Sequence, residues 1–346
     1  MKGERLEELL KLRGKRVLVL GIGGGGDVAT ASLIHFWLQL LKAKPIIGGV
    51  VWERFPIDPI PGPIALNELE PLGQVDVGLG WATGETRALR GCGVFKPQLA
   101  QVADLLNEEA LAIDLWPGPM RLIESLHTFV KSRFEAILGV DVGGDVLATG
   151  LEKDLWSPLA DQVMLACLAK LEMKGLKTIL AVHGLGVDGE LKVQRLAKRI
   201  SSVASRGGYL GAIGMGKEGA EVLEKVVKQV KTESSVLPLE AFKGSYGYKS
   251  LRAATRGVRL TIINAITFFL DPLKLYKASP MAKALANAKD LREANEKLHE
   301  LGVYTELDLE EDLYRVYLEK GEVSREDIIK VKEEGVGNLR RNKVNS

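Results

Sequence analysis

Arg16-Val17-Leu18-Val19-Leu20-Gly21-Ile22-Gly23-Gly24-Gly25-Gly26-Asp27-Val28 decides how this chain is read. Val17–Leu20 is an unbroken apolar run, which suits a strand buried on both faces. The glycines predict a tight turn, and the wide apolar face from Val28 to Leu41 predicts a helix. Strand, glycine turn and helix in that order aim backbone N–H groups at the helix entrance, where the helix dipole favours an anion.

Outward from this stretch the alternation repeats. Pro45–Val51 predicts a strand ending at Trp52-Glu53-Arg54, followed by a proline-rich loop, Pro56–Pro63. Val75–Leu79, Ala110–Leu115, Ala136–Val142, Thr178–Val182 and Leu210–Ile213 read as further strands. Gly3–Leu12, Pro97–Leu106, Met120–Ser132, Pro158–Lys174, Leu191–Ser205 and Gly219–Lys231 read as helices. Near-continuous apolar strands separated by helices predict an α/β fold with a mostly parallel, doubly wound (Rossmann-like) sheet covered by helices on both faces. Beyond Ser234 the pattern loosens. Gly247–Leu270 and Ala282–Leu301 read as helical, Leu309–Glu319 and Arg325–Glu334 as surface helices capped by Asp308 and Ser324, and Asn338–Ser346 as a frayed end. The expected organisation is a Rossmann-like α/β domain over 1–233 and a mostly helical C-terminal region over 234–346, packed on it.

The chain has 346 residues, of which 46% are hydrophobic and 27% charged, so it can bury a large core and should be soluble and globular. Lys+Arg 47 against Asp+Glu 45 is near balance and lends no support to nucleic-acid binding. The N-terminus has no apolar signal core, and Leu260–Leu270 is too short to span a bilayer and is interrupted by Asn264. Cys92 and Cys167 match no metal or redox spacing and read as free thiols. A cytoplasmic protein with no nucleic-acid or membrane partner is expected, and a homo-oligomer stays open.

Three predicted strands end in a glycine-plus-acid turn: Gly21–Asp27; Asp141, Gly143, Gly144 and Asp145; and Gly186, Asp188 and Glu190. Ligands of open α/β sheets bind beyond the carboxyl ends of the strands, so these turns should converge on one rim. Two spellings compete there. Gly21, Gly23 and Gly26 satisfy G-x-G-x-x-G, and Glu53 could hold a ribose, which suggests NAD(P). Asp27, however, stands where the pyrophosphate would rest, and two like charges ~4 Å apart repel by roughly 4 kcal/mol at an effective dielectric of ~20. A divalent cation reverses that sign. Asp27, Asp141, Asp145 and Asp188 without paired His or Cys favour Mg²⁺ or Mn²⁺. Gly23, Gly24, Gly25 and Gly26, with Gly143, Gly144 and Gly186, would cradle phosphate; Arg252 and Arg256 in the basic run Lys243–Arg259 would hold it. Glu53, Glu190 and His183 are the candidate bases. Each acid also has a structural reading: Asp27 and Asp145 as helix caps, Asp188-Gly189 as a turn pair, His183 as a core histidine. His35, Trp37 and Trp116 have apolar neighbours and read as core.

Gly23–Asp27, Asp58-Pro59 with Pro61-Gly62-Pro63, Asp141–Asp145, Ser157-Pro158-Leu159-Ala160-Asp161 and Gly186–Leu191 together resemble one family of archaea and actinobacteria, the domain of unknown function numbered 1152. The resemblance covers roughly Arg16 to Arg259. It implies no established activity, but it implies that these turns are the family's signature and adds Asp161 to the acids. The expected function is a metal-dependent enzyme acting on a phosphate-bearing small molecule or nucleotide, by phosphoryl hydrolysis or transfer. The alternatives are a metal-free NAD(P)- or nucleotide-binding protein and a non-catalytic interaction protein.

Overall fold

The computed structural model describes residues 7–91 and 93–344. The expectations on Gly3–Leu6, Cys92 and the last two residues lie outside these. The strands are β1 (Arg16–Gly21), β2 (Lys44–Val50), β3 (Leu69–Asp76), β4 (Leu79–Arg90), β5 (Gly93–Phe95), β6 (Ala110–Ile113), β7 (Ala136–Val142), β8 (Thr178–His183), β9 (Tyr209–Gly214), β10 (Gly247–Leu251), β11 (Arg256–Leu260) and β12 (Ile266–Leu270). A 10-stranded sheet has the order β3-β4-β6-β2-β1-β7-β8-β12-β9, with β5 beside β4; β10 and β11 form a separate hairpin.

The centre of the sheet, β6-β2-β1-β7-β8, is parallel, as the apolar strands predict. Its two flanks are antiparallel, so the sheet as a whole is mixed. Helices cover both faces. Leu18 and Leu20 point into one core with the helices Gly118–Lys131 and Pro158–Met173. Val17 and Val19 point into the other with Gly25–Leu40 and Gln98–Leu106. This two-sided burial is why the strand sequences show no polar alternation.

Several expectations are corrected. Gly247–Leu270 is not helical: it holds β10, β11 and β12, and β12 is inserted antiparallel between β8 and β9. Its Thr, Ile and Phe content and the inward Val258 and Leu260 around outward Arg259 are strand features that the basic run Lys243–Arg259 obscures. Val75–Leu79 is not one strand: Val75 and Asp76 end β3, Val77 and Gly78 form the hairpin turn, and Leu79 begins β4. Ala282–Leu301 is two helices, Pro280–Leu285 and Leu291–Glu300. The helix expected at Leu309 starts at Glu306 because Thr305, not Asp308, is its cap, with Asp308 completing the capping box. The last helix runs from Arg325 through Val344, so Asn338–Val344 is helical and not frayed. Among the described residues, no helix is long and apolar enough to cross a membrane. Cys167 and His35 are buried, the latter 2.9 Å from Glu108.

Gly21 has a packing role. A Cβ there would lie 2.5 Å from the Val28 backbone nitrogen and 2.8 Å from the Asp27 carbonyl carbon, because the end of β1 runs against the start of its own helix. Backbone cannot move aside cheaply. Gly21→Ala should therefore destabilise the protein by about 3–5 kcal/mol, measured as a lowered urea midpoint with unchanged m-value.

Candidate functional site

Parallel strands present their carboxyl ends on one rim, and the loops after β1, β2, β7 and β8 meet there around a cavity of about 890 Å³. The rim straddles the β1–β7 boundary, where the direction of strand order reverses, the usual place for a ligand in an open α/β sheet. Gly23, Gly24, Gly25, Gly26, Asp27, Asp145, Asp188, Glu190, Arg252 and Arg256 all line the cavity. Gly21, Gly143, Gly144 and Gly186 do not, and neither do Asp141, Glu53 and His183.

The acids form two buried groups. Asp27, Asp141 and Asp161 each offer a carboxylate oxygen within 4.8 Å of the others, and Asp145, Asp188 and Glu190 do the same. In the first group, Asp27 accepts the N–H of Gly23 through one oxygen and that of Val142, at 2.9 Å, through the other. It thus ties the glycine turn to β7. Gly23 has no side chain to intervene: a Cβ there would stand 2.6 Å from Asp161 Oδ2 and 2.7 Å from Asp27 Oδ2. Asp141 accepts a long bond from the Gly144 N–H, at 3.4 Å, and a side-chain hydrogen bond joins it to Asp145; no N–H or hydroxyl reaches its Oδ2 or Asp161 Oδ1. In the second group, Asp188 Oδ1 accepts the Glu190 N–H at 3.2 Å while its Oδ2 is unpartnered.

Burial and mutual repulsion set the protonation of these groups. Burial raises Asp27 and Asp188 to about 7. Burial, then Asp27 and Asp188, push Asp141 well above the usual carboxylate range. Burial, then Asp161 and Glu190, do the same to Asp145; burial, then Asp141 and Asp27, do it to Asp161. Glu190 is the exception. Burial would raise it, but Arg256 Nη1 at 2.8 Å, the Ser157 hydroxyl and the N–H groups of Trp156 and Ser157 hold it below its ordinary value.

Cations border the acids. Arg54 Nη2 donates to the Gly23 carbonyl at 3.0 Å, and its Nη1 lies 3.8 Å from Glu310. Arg256 stacks 4.5 Å over the Trp156 ring. Arg252 donates its N–H to Glu233 at 2.8 Å from the β10–β11 turn. Arg252 and Arg256 come together as the two sides of that turn and not along a helix, and Arg259 faces Tyr246 instead.

The two remaining candidate bases are occupied elsewhere. Glu53 is 3% exposed and accepts the Gln98 N–H at 2.7 Å, at the start of the helix Gln98–Leu106. His183 is fully buried, 2.8 Å from Thr267 Oγ1 on β12, and burial lowers it to about 4, so it stays neutral.

The C-terminal region supplies residues that local sequence patterns do not mark. Glu306 accepts the N–H groups of Leu159 and Ala160, both at 2.9 Å, and so caps the helix Pro158–Met173 from a distance. The cap residue of that helix, Ser157, is left free to donate its hydroxyl to Glu190 and, at 3.3 Å, to Asp145. Glu310 accepts the Trp52 indole N–H at 2.8 Å and the Gly62 N–H at 3.0 Å. The i, i+4 spacing of Glu306 and Glu310 puts both on one helix face, a usable signal only if the cavity is already known. Arg90 organises the proline-rich loop through Asp58 at 3.1 Å and the carbonyls of Ile60 and Pro63.

One family model, described as a protein of unknown function (DUF1152), matches residues 18–314. No curated protein and no solved structure matches the chain.

Proposed function

The chain belongs to the DUF1152 family, and from its acid-lined cavity we propose a divalent-metal-dependent enzyme that hydrolyses or transfers the phosphoryl group of a small phosphate ester. One observation carries this reading: Asp141 Oδ2, Asp161 Oδ1 and Asp188 Oδ2 are buried with no N–H or hydroxyl donor, in two groups whose oxygens lie within 4.8 Å. Buried carboxylates need compensation, and a hard divalent ion with oxygen ligands is the compensation this set suits. Asp27, Asp141 and Asp161 would hold one ion, and Asp145, Asp188 and Glu190 a second. Such ions would supply charge neutralisation on the phosphoryl oxygens.

The chain's own residues do the rest by positioning. Arg54, Arg252 and Arg256 surround the space in front of the acids and would orient a phosphate. Asp145, 3.3 Å from the Ser157 hydroxyl, holds its proton in the metal-free protein and would release it when the second ion binds, so its part is that of a ligand. In hydrolysis, water forms the new P–O bond, the ester P–O bond breaks, and the leaving alcohol takes up a proton.

A metal-free dinucleotide is the second reading, favoured by the glycine turn at the reversal of strand order. The Gly23 N–H that would cradle a pyrophosphate is already donated to Asp27, and Glu53 is turned away from the cavity. A screen of phosphate esters with Mn²⁺ or Mg²⁺ separates the two. Metal-dependent turnover lost in Asp145→Asn is expected. A melting-temperature increase with NAD(P) alone, and no metal-dependent turnover, would favour the dinucleotide.

A further inference from the structure

We infer that the ester carries an aliphatic group and not a nucleobase; this rests on the phosphate-and-metal reading of the same cavity. Its volume of about 890 Å³ is that of a site for a whole small molecule, far more than a phosphate occupies. The aspartates gather at the strand rim. The facing walls, from the loop after β2 and from the last two helices, are Phe55, Ile57, Leu309, Leu313 and Ile328. Leu309 and Leu313 share a face of the helix Glu306–Lys320 with Glu306 and Glu310, so leucines and carboxylates alternate along one line about 10 Å long at 1.5 Å per residue, ending on Leu313.

The aromatic residues here are not free to stack on a base. Trp156 has Arg256 4.5 Å from its ring centre and Lys332 5.1 Å from it. Trp52 is fully buried, with its N–H on Glu310. Phe55 meets Tyr317 edge to face at 6.2 Å. The Gln98 amide donates to the Lys231 carbonyl at 2.7 Å, and its unpartnered Oε1 lies against Gly25, at the glycine turn and away from the apolar wall. Ile57, Leu309, Leu313 and Ile328 offer the wall aliphatic surface, which recognises a chain by burial.

The test is calorimetric titration of the full chain, with Mn²⁺ present, against methyl, butyl and hexyl phosphate and AMP. Affinity should rise about fourfold per methylene, with hexyl phosphate tighter than AMP. Leu309→Asn and Ile328→Asn should each shrink the hexyl-to-methyl ratio; two variants guard against one failing to fold. Equal affinity along the series, or AMP the tightest, overturns the aliphatic inference while leaving the metal-and-phosphate reading intact. If no phosphate binds in a Mn²⁺-dependent manner, that reading falls and this inference with it.

Discussion

Taking the metal-free protein from pH 5 to pH 8 should lower its melting temperature by roughly 5 °C or more, and Mn²⁺ added at pH 8 should restore it. The sign follows from linkage. Burial raises Asp27, Glu53, Asp188 and Glu310 to about 7, while an unfolded carboxylate titrates near 4. Between those values the folded chain holds protons that the unfolded chain has lost. Stability is therefore highest at the acidic end of that window and falls as pH rises through it, and Asp141, Asp145 and Asp161, pushed well above the usual carboxylate range, add to the fall. One such group responding over two pH units contributes about 3 kcal/mol, so even partial response is measurable by scanning calorimetry. Mn²⁺ would act in the opposite direction, because it binds the ionised carboxylates; its effect should be small at pH 5 and accompanied by proton release at pH 8. A melting temperature that stays flat or rises from pH 5 to 8 would mean that the protein neutralises these acids internally, and the metal proposal would lose its premise.

The second large effect is a reversal of sign between two like substitutions. At pH 8 without metal, Asp161→Asn should stabilise the protein by about 1–3 kcal/mol, whereas Asp27→Asn should destabilise it by a similar amount. Asp161 faces Asp141, Asp27 and Glu306, with only Arg54 opposing them, and its Oδ1 has no partner, so losing its charge removes repulsion. Asp27 uses both oxygens to accept amide hydrogens from Gly23 and Val142, and an asparagine can accept only one of them. Both variants should lose most of the Mn²⁺-induced gain in stability. Thermal melts with and without Mn²⁺ measure all four quantities. A destabilised Asp161→Asn that still responds fully to Mn²⁺ would show Asp161 to be a structural residue outside any metal site.

Much of this was legible from the chain alone. Ala136–Val142 reads as a strand and is one, with the same ends. The acid at each glycine turn could be placed on the cavity rim without coordinates, because parallel strands all deliver their carboxyl ends to one side. Asp27, Asp145, Asp188 and Glu190 do line that rim. Glu53 and His183 stand equally close to strand ends in sequence, yet one turns to the Gln98 N–H and the other to Thr267. No local pattern separates those fates. Gln98 lies 45 residues from Glu53, and Thr267 lies 84 from His183.

Periodicity and apolar run length determined the α/β alternation, the two-sided burial of the central strands and the gathering of glycine–acid turns, since each depends on a residue's near neighbours and on the geometry of one strand or helix. Tertiary packing decided which acids found partners. Inserting β12 beside β8 supplied Thr267, and bringing the helix Glu306–Lys320 to the cavity supplied Glu306 and Glu310. Charge compensation in a buried site depends on distances of a few ångströms between residues far apart in the chain, and only the folded arrangement defines those distances.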